Sequence, residues 1–379
     1  MVKHQKHAKL QRPNLGAFAR NEWALLGAPC GVIQQLARDI AIQLNSDHAV
    51  TFIDERHLKD GPAPVPASEP FQARWTKHAD AVELAERSMP NSYSAKFQLR
   101  SSDIVLVNGN HFLAQQQIVC VHPKKTLSHK LDRLTQVVGY WLAPDVTEIP
   151  AYLKEHVGNA NLPIWRSGEE VELAAWLKDK MLADRPPVKG LVLAGGKSQR
   201  MKRDKSKLAY HGKPQHQYVA ELLNATGVED VFLSCRSDQA FEDAKIALLP
   251  DTFMGLGPFG GILSAFRSDP NAAWLVLACD LPFLDAQTLA FLLKHRNPSK
   301  VATAFYNPET DFPEPLITLW EPRAYPRMLE FLSIGNSCPR KVLINSEIEL
   351  LKVPNLNALK NVNTPEDYDA AVAELKVQD

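Results

Sequence analysis

The sequence predicts an α/β protein made of two three-layer αβα domains. Both halves of the 379-residue chain alternate short β-branched or aliphatic runs with stretches of helical period, the pattern of largely parallel sheets covered by helices on both faces. The length exceeds what a single core ordinarily serves. Asp184-Arg185-Pro186-Pro187 interrupts the pattern, its two prolines withdrawing backbone donors just after one amphipathic segment and just before a fresh strand. The boundary therefore falls after Arg185, giving domains 1–185 and 186–379.

In the first half, residues 22–26, 49–53, 103–107 and 118–121 read as strands. Residues 32–44, 127–141 and 170–182 carry helical spacing of apolar positions. The proline-rich stretch 61–70 reads as a surface loop, and the basic run 3–12 as a frayed, solvated tail. In the second half, residues 191–193, 231–234, 274–278 and 301–304 read as buried strands separated by helical stretches, with a short helix at 263–266 after a glycine-dense turn. In such sheets ligands bind outside the carboxyl ends of the strands.

Composition narrows the function classes. Lysine plus arginine and aspartate plus glutamate both number 43, so no global field draws the molecule to nucleic acid or to an acidic membrane. Five cysteines (Cys30, Cys120, Cys235, Cys279, Cys338) are scattered with no Cys-x-x-Cys pair, which argues against a disulfide framework and a structural zinc site. The early apolar stretch 23–28 is too short for a signal-peptide core, and no later run reaches membrane-spanning length. The expectation is a cytoplasmic protein with neither nucleic acid nor membrane as partner.

The chemistry concentrates at strand ends. Leu193-Ala194-Gly195-Gly196-Lys197-Ser198-Gln199-Arg200-Met201 leaves a strand through two glycines, which let backbone N–H groups approach phosphate oxygens. Lys197, Arg200, Arg203, Lys205 and Lys207 supply cations for a triphosphate; a solvated basic loop is the alternative reading. Asp251 precedes the turn from Gly255 to Gly261, where a helix start favours anions. Asp280, in Cys279-Asp280-Leu281-Pro282 at the end of a buried strand, is placed to ligate Mg2+ through oxygen.

These ordered motifs resemble the molybdenum cofactor guanylyltransferases across nearly all of residues 189–377. The Leu-Ala-Gly-Gly loop with Arg200-Met201 and Asp204-Lys205, the Asp before a Gly-Pro-x-x-Gly turn, the Cys-Asp-x-Pro and the closing Asn361-Val362-Asn363-Thr364-Pro365-Glu366-Asp367 carry the likeness. It implies a Rossmann-like nucleotidyltransferase domain of the nucleotide-diphospho-sugar transferase kind. It also implies that Leu193, Ala194, Gly195, Gly196 and Lys205 bind GTP, that Ser234 and Asp251 contact the nucleoside, and that Asp280 holds magnesium. Ser234-Cys235-Arg236 departs from the family's asparagines before the arginine, and Lys202 stands where the family usually has glycine.

The first half resembles, more distantly, the P-loop adaptor protein of the same pathway. Gly27-Ala28-Pro29-Cys30-Gly31-Val32-Ile33-Gln34 occupies the place of G-x-x-x-x-G-K-[ST], with Val32, Ile33 and Gln34 where glycine, lysine and Ser/Thr are needed. Asn108 stands where the adaptor's strand end carries glutamate. A degenerate P-loop-like module without NTP hydrolysis is the reading, with molybdoenzymes or cofactor-biosynthesis proteins as its implied partners.

The implied reaction joins GMP from GTP to the phosphate of molybdopterin, releasing pyrophosphate. Arg200, Lys205 and Asp280 are then catalytic, while Arg340, Lys341 and Asn363 are candidates for the acceptor side. Two alternatives stand: a related cytidylyltransferase or sugar-phosphate nucleotidyltransferase, and a noncatalytic carrier or scaffold.

Overall fold

The computed structural model describes residues 9–55, 72–86, 91–158, 161–195, 205–236, 239 and 246–378. The expected loop at 61–70 and residues 3–8 of the basic run lie outside the described residues. Two compact units emerge, Asn14–Asp184 and Arg185–Asp379, the second joined by Met1–Pro13. The tail expected to fray with the first domain is held by the second unit at its described end. Gln11 Nε2 donates to Asp269 Oδ1 at 3.2 Å, and Asn271 Nδ2 donates to the Arg12 carbonyl at 3.0 Å.

The first unit runs β1 (Glu22–Leu26), α1 (Cys30–Leu44), β2 (Val50–Ile53), the hairpin β3 (Ala73–Lys77) and β4 (Val82–Glu86), α2 (Ser92–Gln98), β5 (Ile104–Asn108), β6 (Gln116–Val121), β7 (Val137–Leu142), α3 (Ala151–Val157), β8 (Ile164–Arg166) and α4 (Glu170–Ala183). Its six-stranded sheet has the order β2-β5-β1-β6-β7-β8, parallel throughout. β1 and β5 are buried at every position, which accounts for the apolar runs Trp23–Leu26 and Ile104–Val107, with the buried polar Glu22 and Asn108 at their ends. α1 turns Ile33, Leu36, Ala37, Ile40 and Leu44 inward at helical spacing, in one cluster with Leu173, Ala174 and Leu177 of α4.

The helix expected at 127–141 does not form. A 3-10 turn at Leu131–Arg133 is followed by strand β7. The Gln117 amide fixes this path, donating from Nε2 to the Arg133 carbonyl at 2.8 Å and accepting at Oε1 from Thr135 N at 2.8 Å. The β-branched and aromatic residues that follow then fit the pleated sheet between β6 and β8.

The second unit runs β9 (Val188–Leu193), α5 (Gln215–Ala225), β10 (Val231–Cys235), β11 (Ala247–Pro250), α6 (Pro258–Ser268), β12 (Ala273–Ala278), α7 (Ala286–Lys294), β13 (Ala302–Asn307), β14 (Phe312–Trp320), α8 (Ala324–Ser333), α9 (Pro339–Ile344), β15 (Glu349–Lys352) and α10 (Pro365–Gln378). The sheet order is β11-β10-β9-β12-β14-β13-β15. One face packs Val219, Leu223, Leu289 and Leu292 from α5 and α7, the other Phe259, Ile262, Phe266 and Met328 from α6 and α8. These are the three layers expected.

β14 is antiparallel to both its neighbours, which the largely parallel expectation did not include. Pro313 and Pro315 disguise it, since proline cannot donate within a central strand. The pairing resolves this: β12 meets β14 only from Ile317 to Trp320, beyond both prolines. α6 also begins earlier than expected, at Pro258 after the Gly257 cap.

Candidate active site

In the second unit the strand order reverses at β9, with β10 on one side and β12 on the other. Leu193 pairs with Ser234 of β10 and with Ala278 of β12. The carboxyl ends of these strands therefore set Ala194-Gly195, Ser234-Cys235 and Cys279-Asp280 side by side. This crevice is where open α/β sheets take ligands.

Asp251, just past β11, is drawn into the same edge by its own N–H, which donates to the Cys235 carbonyl at 2.8 Å. Ser234 Oγ donates to Asp251 Oδ1 at 2.7 Å. Burial pushes the Asp251 carboxyl above the usual range, and the Ser234 hydrogen bond and the Arg236 charge offset that only in part. Burial, with the charge of Asp251, likewise raises the Cys235 thiol. A Cβ on Gly195 would lie 3.1 Å from Asp251 Oδ2, so the loop backbone runs close against this pair.

The carbonyls of the loop are held from below. Arg236 NH1 donates to the Gly195 carbonyl at 2.7 Å and Gln239 Nε2 to that of Ala194 at 3.0 Å. In the sequence Arg236 stands only as the arginine that follows the departing Ser234-Cys235, with no role, and Gln239 carries no signal. The signal available was an arginine directly after a strand end. Gly261 lets the first turn of α6 lie against the strand ends: a Cβ there would meet Ser234 Oγ at 2.6 Å and Leu193 Cδ2 at 2.9 Å.

Asp280 lies on the other side of the crevice, its carbonyl accepting from Val362 N at 2.9 Å. Glu314, on β14, is buried; burial raises its carboxyl, Asn307, Arg340 and the Leu316 N–H oppose this, and the charge of Asp280 adds to it. Tyr210 is raised chiefly by burial, then by Tyr368, Asp280 and Asp367. The charge of Asp280 thus reaches both Glu314 and Tyr210, and a carboxylate at a strand end is the kind of oxygen donor a hard divalent cation takes. Among the described residues, no group of three or more His, Cys, Asp or Glu forms a ready-made metal cage.

Arg340, on α9, lies 4.0 Å from Glu314 Oε2. Lys341 points elsewhere, its Nζ donating to Asn336 Oδ1 at 3.3 Å. The Asn363 and Thr364 N–H groups both donate to Asp367 Oδ2, at 3.0 and 2.9 Å, and Thr364 Oγ1 accepts from Asp367 N at 3.2 Å. The closing Asn-Thr-Pro-Glu-Asp motif is therefore a capping box that starts α10. Gly196 and Arg200 lie outside the described residues; Lys205 opens a 3-10 turn, Lys205–Lys207, and its side chain is likewise outside them.

In the first unit the residues compared above with the P-loop pattern are engaged in different ways. Ile33 is fully buried, and Gln34 Nε2 and Asn108 Nδ2 donate to Asp54 Oδ2 and Oδ1 at 2.6 and 2.7 Å.

Residues 190–349 match the MobA-like NTP transferase domain. A molybdenum cofactor biosynthesis bifunctional protein of Synechocystis sp. is 39% identical over 185 residues, 48% of this chain and 53% of that protein. A molybdenum cofactor guanylyltransferase of Xanthomonas euvesicatoria is 31% identical over 195 residues, 50% of this chain and 96% of that protein. The chain spans about half the length of the Synechocystis relative and of a probable molybdenum cofactor guanylyltransferase of Opitutus terrae, 53% and 54%. Among solved structures, molybdopterin-guanine dinucleotide biosynthesis protein A of Archaeoglobus fulgidus aligns at 22% identity and a TM-score of 0.42, over 50% of this chain and 99% of that one. Through the domain of its second unit, the chain belongs to the molybdenum cofactor guanylyltransferase family.

Proposed function

We propose that the second unit transfers GMP from GTP to the phosphate of molybdopterin, releasing pyrophosphate. The observation that carries this reading is the convergence of Gly195, the Ser234–Asp251 pair and Asp280 at one switch point, in a domain of this family. The acceptor phosphate is already ionised near neutrality, so the reaction needs alignment and charge compensation rather than a strong base. In this reading the Ala194-Gly195 backbone positions the triphosphate, with its carbonyls turned away from the anion by Arg236 and Gln239. The Ser234–Asp251 pair orients the nucleoside. Lys205 and Arg200 offset charge on the attacked and leaving groups. Asp280 holds Mg2+, which when bound neutralises the phosphates. Arg340, with Glu314 beside it, faces the acceptor; Asn363 is a second candidate there, and Lys341 would join only by leaving Asn336.

Pyrophosphate release by the full chain, measured with GTP, CTP and UTP and with or without molybdopterin, tests this. Release that requires both GTP and molybdopterin is the expected result. Equal release with CTP or UTP would move the protein to another nucleotidyltransferase class.

The first unit serves in this reading as a P-loop-like binding module without NTP chemistry, acting on proteins of cofactor assembly or delivery. The burial of Ile33 and the closed Gln34–Asp54–Asn108 set support it. Calorimetry of residues 14–184 with Mg-GTP and Mg-ATP should show no measurable binding, and tight binding would overturn the reading.

A further inference from the structure

The switch point of the first unit holds a constellation that neither the GTP reaction nor the P-loop likeness uses. The strand order β2-β5-β1-β6 reverses at β1, so the ends of β1 and β5 flank a crevice. Cys30, the first residue of the 15-residue helix α1, lies there half-buried. His111, three residues past β5, brings Nε2 to 3.2 Å from Cys30 Sγ, and Glu55, two residues past β2, brings Oε2 to 3.1 Å from His111 Nδ1. An ionised carboxylate only accepts, so the Nδ1 edge carries the proton and Nε2 turns its lone pair to the thiol. Nucleophile, base and orienting carboxylate thus come from three separate strand ends in reacting order.

The surrounding loops hold this geometry in place. Asn110 Nδ2 donates to the Ala28 carbonyl at 2.9 Å and lies 3.7 Å from Cys30 Sγ, while Arg133 NH1 fixes the Asn110 carbonyl at 2.7 Å. Lys125 Nζ donates to the Ala28 carbonyl at 3.3 Å. Burial lowers the Lys125 ammonium, the Cys30 charge opposes this, and Lys130 and Arg133 add to the lowering. Among the described residues, Lys125, with Lys130 and Arg133 in its field, and the carboxylates Asp54 and Glu55 are the charges near this set, and Asp54 is already taken by Gln34 and Asn108. A helix N-terminus with cations nearby favours an anionic co-reactant.

We propose that Cys30, with His111 as its base and Glu55 as the residue that orients His111, is a nucleophilic thiol that exchanges with small anionic disulfides. The Cys30 proton passes to His111 Nε2 as Cys30 Sγ attacks one sulfur of the disulfide. The old S–S bond breaks, a mixed disulfide forms on Cys30, and the departing thiolate takes the proton from the imidazolium. The incoming disulfide is the oxidant consumed, so the exchange balances. Cys120, the other cysteine of this unit, is buried and its thiol is pushed up to about 12, so it does not resolve the adduct.

Cys338, the other half-buried cysteine, is an internal reference. The full chain is incubated with oxidised glutathione, and separately with the cationic disulfide cystamine, and adducts are located by peptide mass spectrometry against time. At neutral pH Cys30 should react at least about tenfold faster than Cys338. His111→Asn should slow Cys30 at least about tenfold at neutral pH and much less at alkaline pH, where the thiol ionises unaided; Glu55→Gln should give a smaller loss with the same pH dependence. Equal rates at Cys30 and Cys338 in the parent protein, which needs no variant, would overturn the proposal, as would a His111→Asn loss that persists unchanged at alkaline pH. Cystamine reacting as fast as glutathione would overturn the anionic class of the partner.

Discussion

After β1 the chain turns through Gly27, Ala28 and Pro29 and buries Ile33 in the first turns of α1; after β9 it turns through Ala194 and Gly195 and leaves its backbone against a half-buried carboxylate. Both turns leave a central strand, parallel to both its neighbours, at which the strand order reverses. In the first unit, the carboxylate beside the turn, Asp54, is satisfied by two side-chain amides. In the second, Asp251 is satisfied by one hydroxyl and its burial remains under-compensated. A switch point supplies a crevice, and the residues around it decide whether that crevice takes a triphosphate. In the first unit the Gln34 and Asn108 amides are spent on a carboxylate rather than on phosphate, whereas in the second, loop amides and an acidic strand end can hold a triphosphate together with a metal.

The largest effect expected is at Asp280. Asp280→Ala should lower pyrophosphate release by at least about a hundredfold, whereas Asp54→Ala should leave it unchanged; equal losses from both would break the comparison. Next comes Ile33→Lys, which restores the residue a working P-loop requires. Because Ile33 is fully buried, the ammonium enters the core without a partner and should cost about 3 kcal/mol or more in urea unfolding, with no gain of GTP binding. New nucleotide affinity in that variant would mean the first turn is one substitution from function.

Ser234→Ala sharpens the contrast on the other side. It removes the donor to Asp251 and should cost about 2 kcal/mol of stability, a typical value for a hydrogen bond to a charged group; an unchanged urea midpoint would show that Asp251 finds another donor. The smallest effect, and the most diagnostic, is that of Glu314→Gln. Burial raises the Glu314 carboxyl from its unfolded value of 4.5, so the native state holds the proton more tightly and loses stability as the pH rises through the raised value. The glutamine variant should melt above the parent at neutral pH, and the gap should close as the pH falls toward 4.5. A variant melting below the parent at neutral pH would show that the Arg340 contact outweighs burial.

The buried central strands were legible because burial on both faces writes continuous apolar runs, as in β1, β5 and β12. Periodicity misled at 127–141, where apolar spacing suited a helix but the Gln117 side chain fixes the preceding loop and delivers the residues into the sheet between β6 and β8. β14 was hidden by its prolines: β12 pairs only beyond them, and β13 meets Pro313 past a register irregularity, neither of which residue order displays. At the site, the order of motifs pointed to Leu193, Gly195, Ser234, Asp251 and Asp280, which lie along one sheet edge. What the order could not contain was support from distant residues: Arg236 and Gln239 on the loop carbonyls, and Glu314 and Tyr210 in the field of Asp280.

The hydrogen bond from Val362 to the Asp280 carbonyl ties the strand end to a segment more than eighty residues later, just ahead of the Thr364 cap of α10. Tyr368 adds a second tie, donating from its hydroxyl to the Ala209 carbonyl at 3.1 Å and packing its ring on Tyr210. The last helix therefore acts as a latch on the acidic strand end. The Val362 amide can leave its acceptor for solvent only when that latch opens, so its hydrogen–deuterium exchange rate measures how often Asp280 loses its backbone anchor.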